Sequence, residues 1–237
     1  MNYLFDNFER IENNDPEFHE IFENFAYGEV MEYSNLDEKE TVLVTLASLI
    51  ACQSPKAFKK ILISSINKYI TPEEVKELLY QSVPYVGFGR AHNFFGVVMK
   101  VFDKKGIEMP LEAKSNTTSE NRRQKGREIQ DRYFGVELIQ AMNDNAPEGQ
   151  KHFNTFLEGY CFGDFYTRDG LNDQQRELIT FTFIATLGGC ENQLRGHTQG
   201  NLSVGNDKEK LVSAITVILP YIGFPRSLNA LAIVNEF

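Results

Sequence analysis

Cys190, Gln193 and His197 fall three and then four residues apart in GGCENQLRGH (188–197), a spacing that lines them along one stripe of an α-helix. A histidine there can act as general acid or base, because imidazole titrates near neutrality. A structural histidine, hydrogen-bonded where helices meet, is the equally open alternative. Cys190 follows Gly188-Gly189 and so falls at a helix start, where the dipole favours a thiolate; the plainer reading is a small side chain filling a tight corner. Arg176-Glu177, one helix earlier, offers a carboxylate that would orient His197 or relay a proton if buried, and a surface ion pair if not. The loop Tyr221-Ile222-Gly223-Phe224-Pro225-Arg226, with Asn229, places Arg226 to meet an anion at a helix start, although helix packing explains this block better. One Cys and one His are too few for a metal centre, so none is expected.

The elements that must position these residues come in two copies. QSVPYVGFGRAHN (81–93) and VILPYIGFPRSLN (217–229) share P-Y-[VI]-G-F-x-R-x-x-N at an offset of 136. FAYGEVMEYSNLDEKE (25–40) answers YCFGDFYTRDGLNDQQ (160–175) at 135, and LASLIACQ (46–53) answers IATLGGCE (184–191). That last match sets Cys52 against Cys190 and Lys59 against His197; Lys39-Glu40 stands at the place of Arg176-Glu177, and the first copy reads as a scaffold. The unit is all helix. Asn172 or Asp173 caps a helix over 171–187, Gly188-Gly189 ends it, and a second runs from Cys190 to about Val204. Asp207 caps a third that ends at Pro220 and Gly223, and Pro225 starts the last. The first copy, with Thr71-Pro72 as a helix start, repeats this plan, and strand or hairpin patterns are absent. The expected organisation is a first copy over 1–102, a polar linker over 103–124 and a second copy over 125–237, with residues 125–160 mirroring the N-terminal lead-in. The copies should correspond over 16–102 and 151–237.

Composition narrows the class. A net charge of −9 argues against nucleic acid, and the run Arg122, Arg123, Lys125, Arg127 is balanced by Glu120, Glu128 and Asp131, as on a solvated face or linker. No apolar run is long enough to span a membrane, and the acidic start MNYLFDNFER does not look like a signal peptide. Three cysteines make no disulfide framework, so a cytoplasmic protein is expected.

R-E-L-I-T (176–180), G-G-C-E-N-Q-L-R-G-H (188–197), Y-I-G-F-P-R-x-L-N-A (221–230) and C-F-G-D-F-Y-T-R-x-G-L (161–171) together resemble the carboxymuconolactone decarboxylase family, which includes the AhpD-type alkylhydroperoxidases. The resemblance covers both copies. The peroxidase branch carries C-x-x-C-x-x-x-H with a Glu one helix earlier; here Cys190, His197 and Glu177 match, while Gln193 replaces the second Cys and removes the disulfide. The decarboxylase branch carries E-L-R-x-H, which Gln193-Leu194-Arg195-Gly196-His197 matches except at Gln193. The resemblance therefore implies a cofactor-free lyase acting on a small carboxylated lactone or related acid. It assigns His197 to deliver the proton, Arg195 or Arg226 to hold the anion, and Gln193 and Glu177 to orient the site. A thiol-dependent peroxidase using Cys190 is the first alternative, and a non-catalytic oligomeric binding protein the second. Single-unit relatives assemble as hexamers, so the fused pair is expected to form a homotrimer.

Overall fold

In the computed structural model the described residues are 9–237; the start of the chain, on which the signal-peptide reading and the first bound of copy one rest, lies outside them. The described residues hold helices and no strand, only a bridge between Ile66 and Ile70. In the first copy, α1 (Glu9–Asn14) and α2 (Pro16–Glu23) lead into a π-helical stretch, Asn24–Glu29, and α3 (Val30–Glu32). Then come α4 (Glu38–Ala51), α5 (Pro55–Ser65), α6 (Pro72–Val86) and α7 (Phe88–Lys104). In the second part α8 (Arg122–Phe134) and α9 (Val136–Asp144) precede α10 (Lys151–Phe156) and a longer π-helix, Leu157–Tyr166. There follow α11 (Asp173–Leu187), α12 (Glu191–Ser203), α13 (Lys208–Ile222) and α14 (Phe224–Val234). Among the described residues no helix is long and apolar enough to cross a membrane.

Helix caps fix the correspondence between copies. Asp37 caps α4 and Asn172 caps α11, each in a reciprocal box with the third helical residue, Glu40 or Gln175. Ser54 begins α5 as Cys190 begins α12, Thr71 caps α6 as Asp207 caps α13, and Gly87 at φ 80° separates α6 from α7 as Gly223 at φ 78° separates α13 from α14. Every one of these pairs is offset by 135 or 136.

The central helices explain why the copies form one body. In α4 every residue from Thr41 to Ala51 is buried, and in α11 every residue from Arg176 to Thr186. A helix buried all round belongs at the centre of a core, and α4 packs on α11. Each copy's apolar cluster accordingly borrows from the other: Ile179 and Phe183 join the first, Val44 the second.

Three expectations need correction. Among the described residues only α10 and its π-helix mirror α2 and its π-helix; α8 and α9 have no counterpart there. The basic run is a solvated helix face and not linker, with Arg122 paired to Asp164, Arg123 to Glu158 and Arg127 to Asp131. The third helix passes through Pro220 and ends only at Gly223, because proline's fixed φ is itself helical. The segment before α8 is docked: Asn116 donates to Thr167 O at 2.9 Å and Thr117 to Gly163 O at 3.1 Å. Glycine lets α8 reach the π-helix, since a Cβ at Gly126 would stand 2.6 Å from Gly163 N and closer still to Glu158 O.

Candidate active site

Asn172 sets the register of α11, and that register buries Glu177 completely. The corner Gly188-Gly189, with φ of 67° and 69°, turns the chain so that α12 runs back along α11. His197 then faces Glu177: its Nδ1 lies 3.0 Å from Oε2 and 3.2 Å from Oε1. Gly200 permits this approach, because a Cβ there would lie 2.9 Å from Phe134 Cε1 and closer still to Glu177 Oε2. Phe134, from α8, meets the imidazole edge to face at 5.5 Å, and Tyr85 meets it at 5.2 Å. Asn201 fixes the helix pair by donating to Glu177 O at 3.0 Å and His197 O at 2.7 Å.

Behind the histidine runs a one-directional chain of hydrogen bonds. Tyr166 donates to Glu177 Oε1 at 2.8 Å. With that proton committed, the 2.7 Å contact between the two tyrosine hydroxyls has Tyr85 as donor, and Thr180, 3.0 Å from Tyr166, is the second donor to it. Cys161 donates to the Tyr85 oxygen at 3.7 Å, and Gln81 to Thr180 at 3.1 Å. Burial pushes the hydroxyls of Tyr166 and Tyr85 well above the tyrosine range, with the Glu177 charge adding to it, and pushes the Cys161 thiol up to about 12. These groups stay protonated and point their protons toward one carboxylate. That carboxylate accepts Nδ1–H, leaving Nε2 as the ring atom with which His197 can meet a ligand.

The open side is a cleft of about 560 Å³. Cys190, Gln193 and His197 line it, together with Cys161 and Phe162 of the π-helix and Tyr85, Gly87 and Phe88 of the first copy. Glu177 sits behind His197 and does not line the cleft. Neither expected anion contact reaches it. Arg195 points outward and grips Glu236 through Nε and Nη2 at 2.6 and 2.8 Å. Arg226 lies against Gly188, at a small separate cavity that it shares with Glu191 and Asn229, in keeping with packing for that block. Arg176 is not on the surface either; it is fully buried and bonds Glu77 of α6 at 3.1 Å, as Arg168 does at 3.0 Å. Tyr85, Tyr166, Thr180 and Phe134 escaped the sequence reading. Tyr85 and Tyr166 lie inside the motif blocks P-Y-V-G-F and F-Y-T-R-D-G-L, and their presence there was the only available signal.

The first copy shows what this frame becomes without the polar groups. Counting from the matched caps, Val42 takes the place of Glu177, Ile61 of His197, Met31 of Tyr166 and Tyr221 of Tyr85. Met31, Val42, Thr45, Ile61, Val217 and Tyr221 do line one cavity, of about 30 Å³, room for about one water. The sequence matches of Cys52 with Cys190, Glu40 with Glu177 and Lys59 with His197 are therefore two residues out of register. Cys52 corresponds to Gly188, Glu40 to the cap residue Gln175, and exposed Lys59 to Arg195. A similarity of small residues around the corner misled the eye, whereas the caps set the true register.

Comparison with known proteins agrees with this duplicated layout. The model of the carboxymuconolactone decarboxylase family matches residues 16–99 and again residues 151–236. A relative, the 4-carboxymuconolactone decarboxylase of Acinetobacter baylyi (strain ATCC 33305 / BD413 / ADP1), is 26% identical over 117 residues, which cover 49% of this chain and 87% of that protein. The chain belongs to the carboxymuconolactone decarboxylase family.

Proposed function

We propose that this member of the family is a carboxy-lyase that needs no cofactor, removing CO2 from a small carboxylated lactone or related conjugated acid in the second copy's cleft. The observation that carries the reading is His197, held by Glu177 through Nδ1 on the floor of an apolar cleft. The C–COO⁻ bond breaks, its electron pair passes into the conjugated carbonyl, and CO2 leaves. His197 Nε2–H then protonates the resulting carbanion at carbon and recovers its proton from solvent. Glu177 stabilises the imidazolium that acts as acid, and the tyrosine chain holds Glu177 in place. An apolar wall favours the first step, since it solvates a carboxylate worse than the delocalised enolate it becomes.

The test is CO2 release from a panel of carboxylated lactones and conjugated keto acids. His197→Ala should slow it by roughly two to four orders of magnitude, the usual worth of a general acid. Cys190→Ser should affect it far less, because protonating carbon requires no thiolate. The peroxidase reading has one supporting observation, a second free thiol on the cleft at Cys161; the elevation of that thiol to about 12 counts against it. Peroxide turnover with a dithiol, abolished by Cys190→Ser, would replace our reading with that one. Inactivity in both assays would leave the binding-protein reading. We further propose a homotrimer, since Phe224 and Leu228, away from the cleft, are each at least 59% exposed, apolar surface that suits a subunit contact. A monomer by light scattering would contradict this.

A further inference from the structure

The cleft has a property that the family resemblance does not lead one to expect: none of its lining residues is charged, apart from what His197 acquires on protonation. Phe88, Phe153, Phe156, Tyr160 and Phe162 provide aromatic surface, Val83, Leu157, Ile184 and Leu187 aliphatic surface. The polar groups are few and none is a fixed charge: Cys190, Gln193 and His197 along α12, with the Tyr85 and Tyr160 hydroxyls and the Cys161 thiol. The arginines nearest in sequence to the site's residues are committed elsewhere among the described residues. Arg195 is paired with Glu236, Arg168 and Arg176 share Glu77, and Arg226 packs on Gly188. One carboxylate can be met by imidazolium and the Gln193 amide. A second would meet no cation and chiefly hydrocarbon, which is costly for a buried charge. At about 560 Å³ the cleft is also of a size that takes a multi-ring ligand.

We propose that the substrate is a monocarboxylic acid on a flat, apolar, conjugated body that carries the lactone or ketone carbonyl which takes up the electron pair, its one carboxylate being the group it loses. This deepens the lyase reading and rests on it for the fate of the carboxylate. The binding preference is nevertheless separable from turnover. After CO2 departs, the product is uncharged and loses its contact with the imidazolium, so binding and release are both served by a single leaving charge.

The experiment is equilibrium binding by calorimetry with three unreactive probes of one shape: 2-naphthoate, naphthalene-2,6-dicarboxylate and 2-naphthamide. None can decarboxylate, so failure of the lyase reading would leave the binding result standing, and the reverse. Wild-type protein should bind 2-naphthoate about ten-fold or more tighter than the dicarboxylate, and tighter than the amide. His197→Ala should erase the advantage of 2-naphthoate over the amide, with circular dichroism confirming the fold. Phe153→Arg is at an exposed position on the cleft, so it should fold and should narrow the gap between mono- and dicarboxylate. Tighter binding of the dicarboxylate, no binding of 2-naphthoate at millimolar concentration, or indifference to both substitutions would overturn the proposal.

Discussion

Two cavities built on one plan stand on either side of the α4–α11 contact, and they differ by a handful of side chains. The second has Glu177, His197 and Tyr166 in a hydrogen-bonded line opening on a cleft; the first has Val42, Ile61 and Met31 closing on a space for about one water. The difference teaches that duplication here divided the work and did not double it. The first copy lacks the polar line but provides α6, whose Tyr85 walls the cleft, whose Gln81 holds Thr180, and whose Glu77 holds Arg176. Tyr221 makes the reciprocal reach into the first copy's cavity, where it stands beside Tyr27 with no carboxylate or imidazole in the lining. The candidate site belongs to one copy's sequence and to both copies' structure.

The most damaging change should be one that cuts this dependence. Glu77→Ala leaves two arginines without their carboxylate, one of them fully buried, and breaking such a buried pair costs about 3–5 kcal/mol. Thermal unfolding should fall by roughly 2–4 °C for each kcal/mol in a chain of this size. A melting temperature unchanged in Glu77→Ala would mean the copies are not joined there. Next comes Gly200→Ala, whose Cβ must displace Glu177 or Phe134; a stability loss of about 1–3 kcal/mol is expected, together with slower turnover. The matching position in the first copy is Ser64, half-buried, so Ser64→Ala serves as the control and should do far less.

Removing a single hydroxyl should have a smaller effect. Tyr85→Phe keeps the ring against His197 but takes one donor from Tyr166, for a loss of about 0.5–1.5 kcal/mol, with the rate falling by no more than about ten-fold. A thousand-fold loss would promote Tyr85 from positioning to proton transfer. The last effect is one of pH and is confined to alkaline solution. Folding keeps Cys161, ordinarily at 9.0, protonated up to about 12, so the unfolded chain releases this proton first. Stability contributed by the protonated thiol is therefore full below pH 9 and lost as pH rises from 9 to about 12. Ala26 occupies the matching place in the first copy, so the effect belongs to one side. Cys161→Ala should flatten the decline in melting temperature measured across this range.

Much of this was legible in the sequence, for reasons that also explain the rest. The caps at Asn172, Thr71 and Asp207 and the glycines at 188–189 and 223 act locally, so the helices could be placed within a residue or two. Glu177, Cys190, Gln193 and His197 could be brought together because helix periodicity and one short corner fix their geometry. Tyr85 and Arg176 could not be placed, because their partners lie about ninety residues away and only tertiary packing unites them. The same holds for Arg195: its one-letter neighbourhood suggested an anion site, while Glu236, beyond two helices, takes the side chain. The two-residue slip between copies came from matching similar letters around the corner where capping geometry should have ruled.

The central claim is that the two cavities, equal in frame, are unequal in chemistry, and one paired measurement addresses it. His197→Ala and Ile61→Ala change matched positions on α12 and α5, and both remove a buried side chain. Rates of CO2 release should be compared under conditions where both variants are shown to be folded. The account predicts that His197→Ala loses roughly two to four orders of magnitude in rate, while Ile61→Ala loses about 2–5 kcal/mol of stability and keeps its rate within about two-fold. Equal loss of rate in the two variants, or a greater loss in Ile61→Ala, would contradict it.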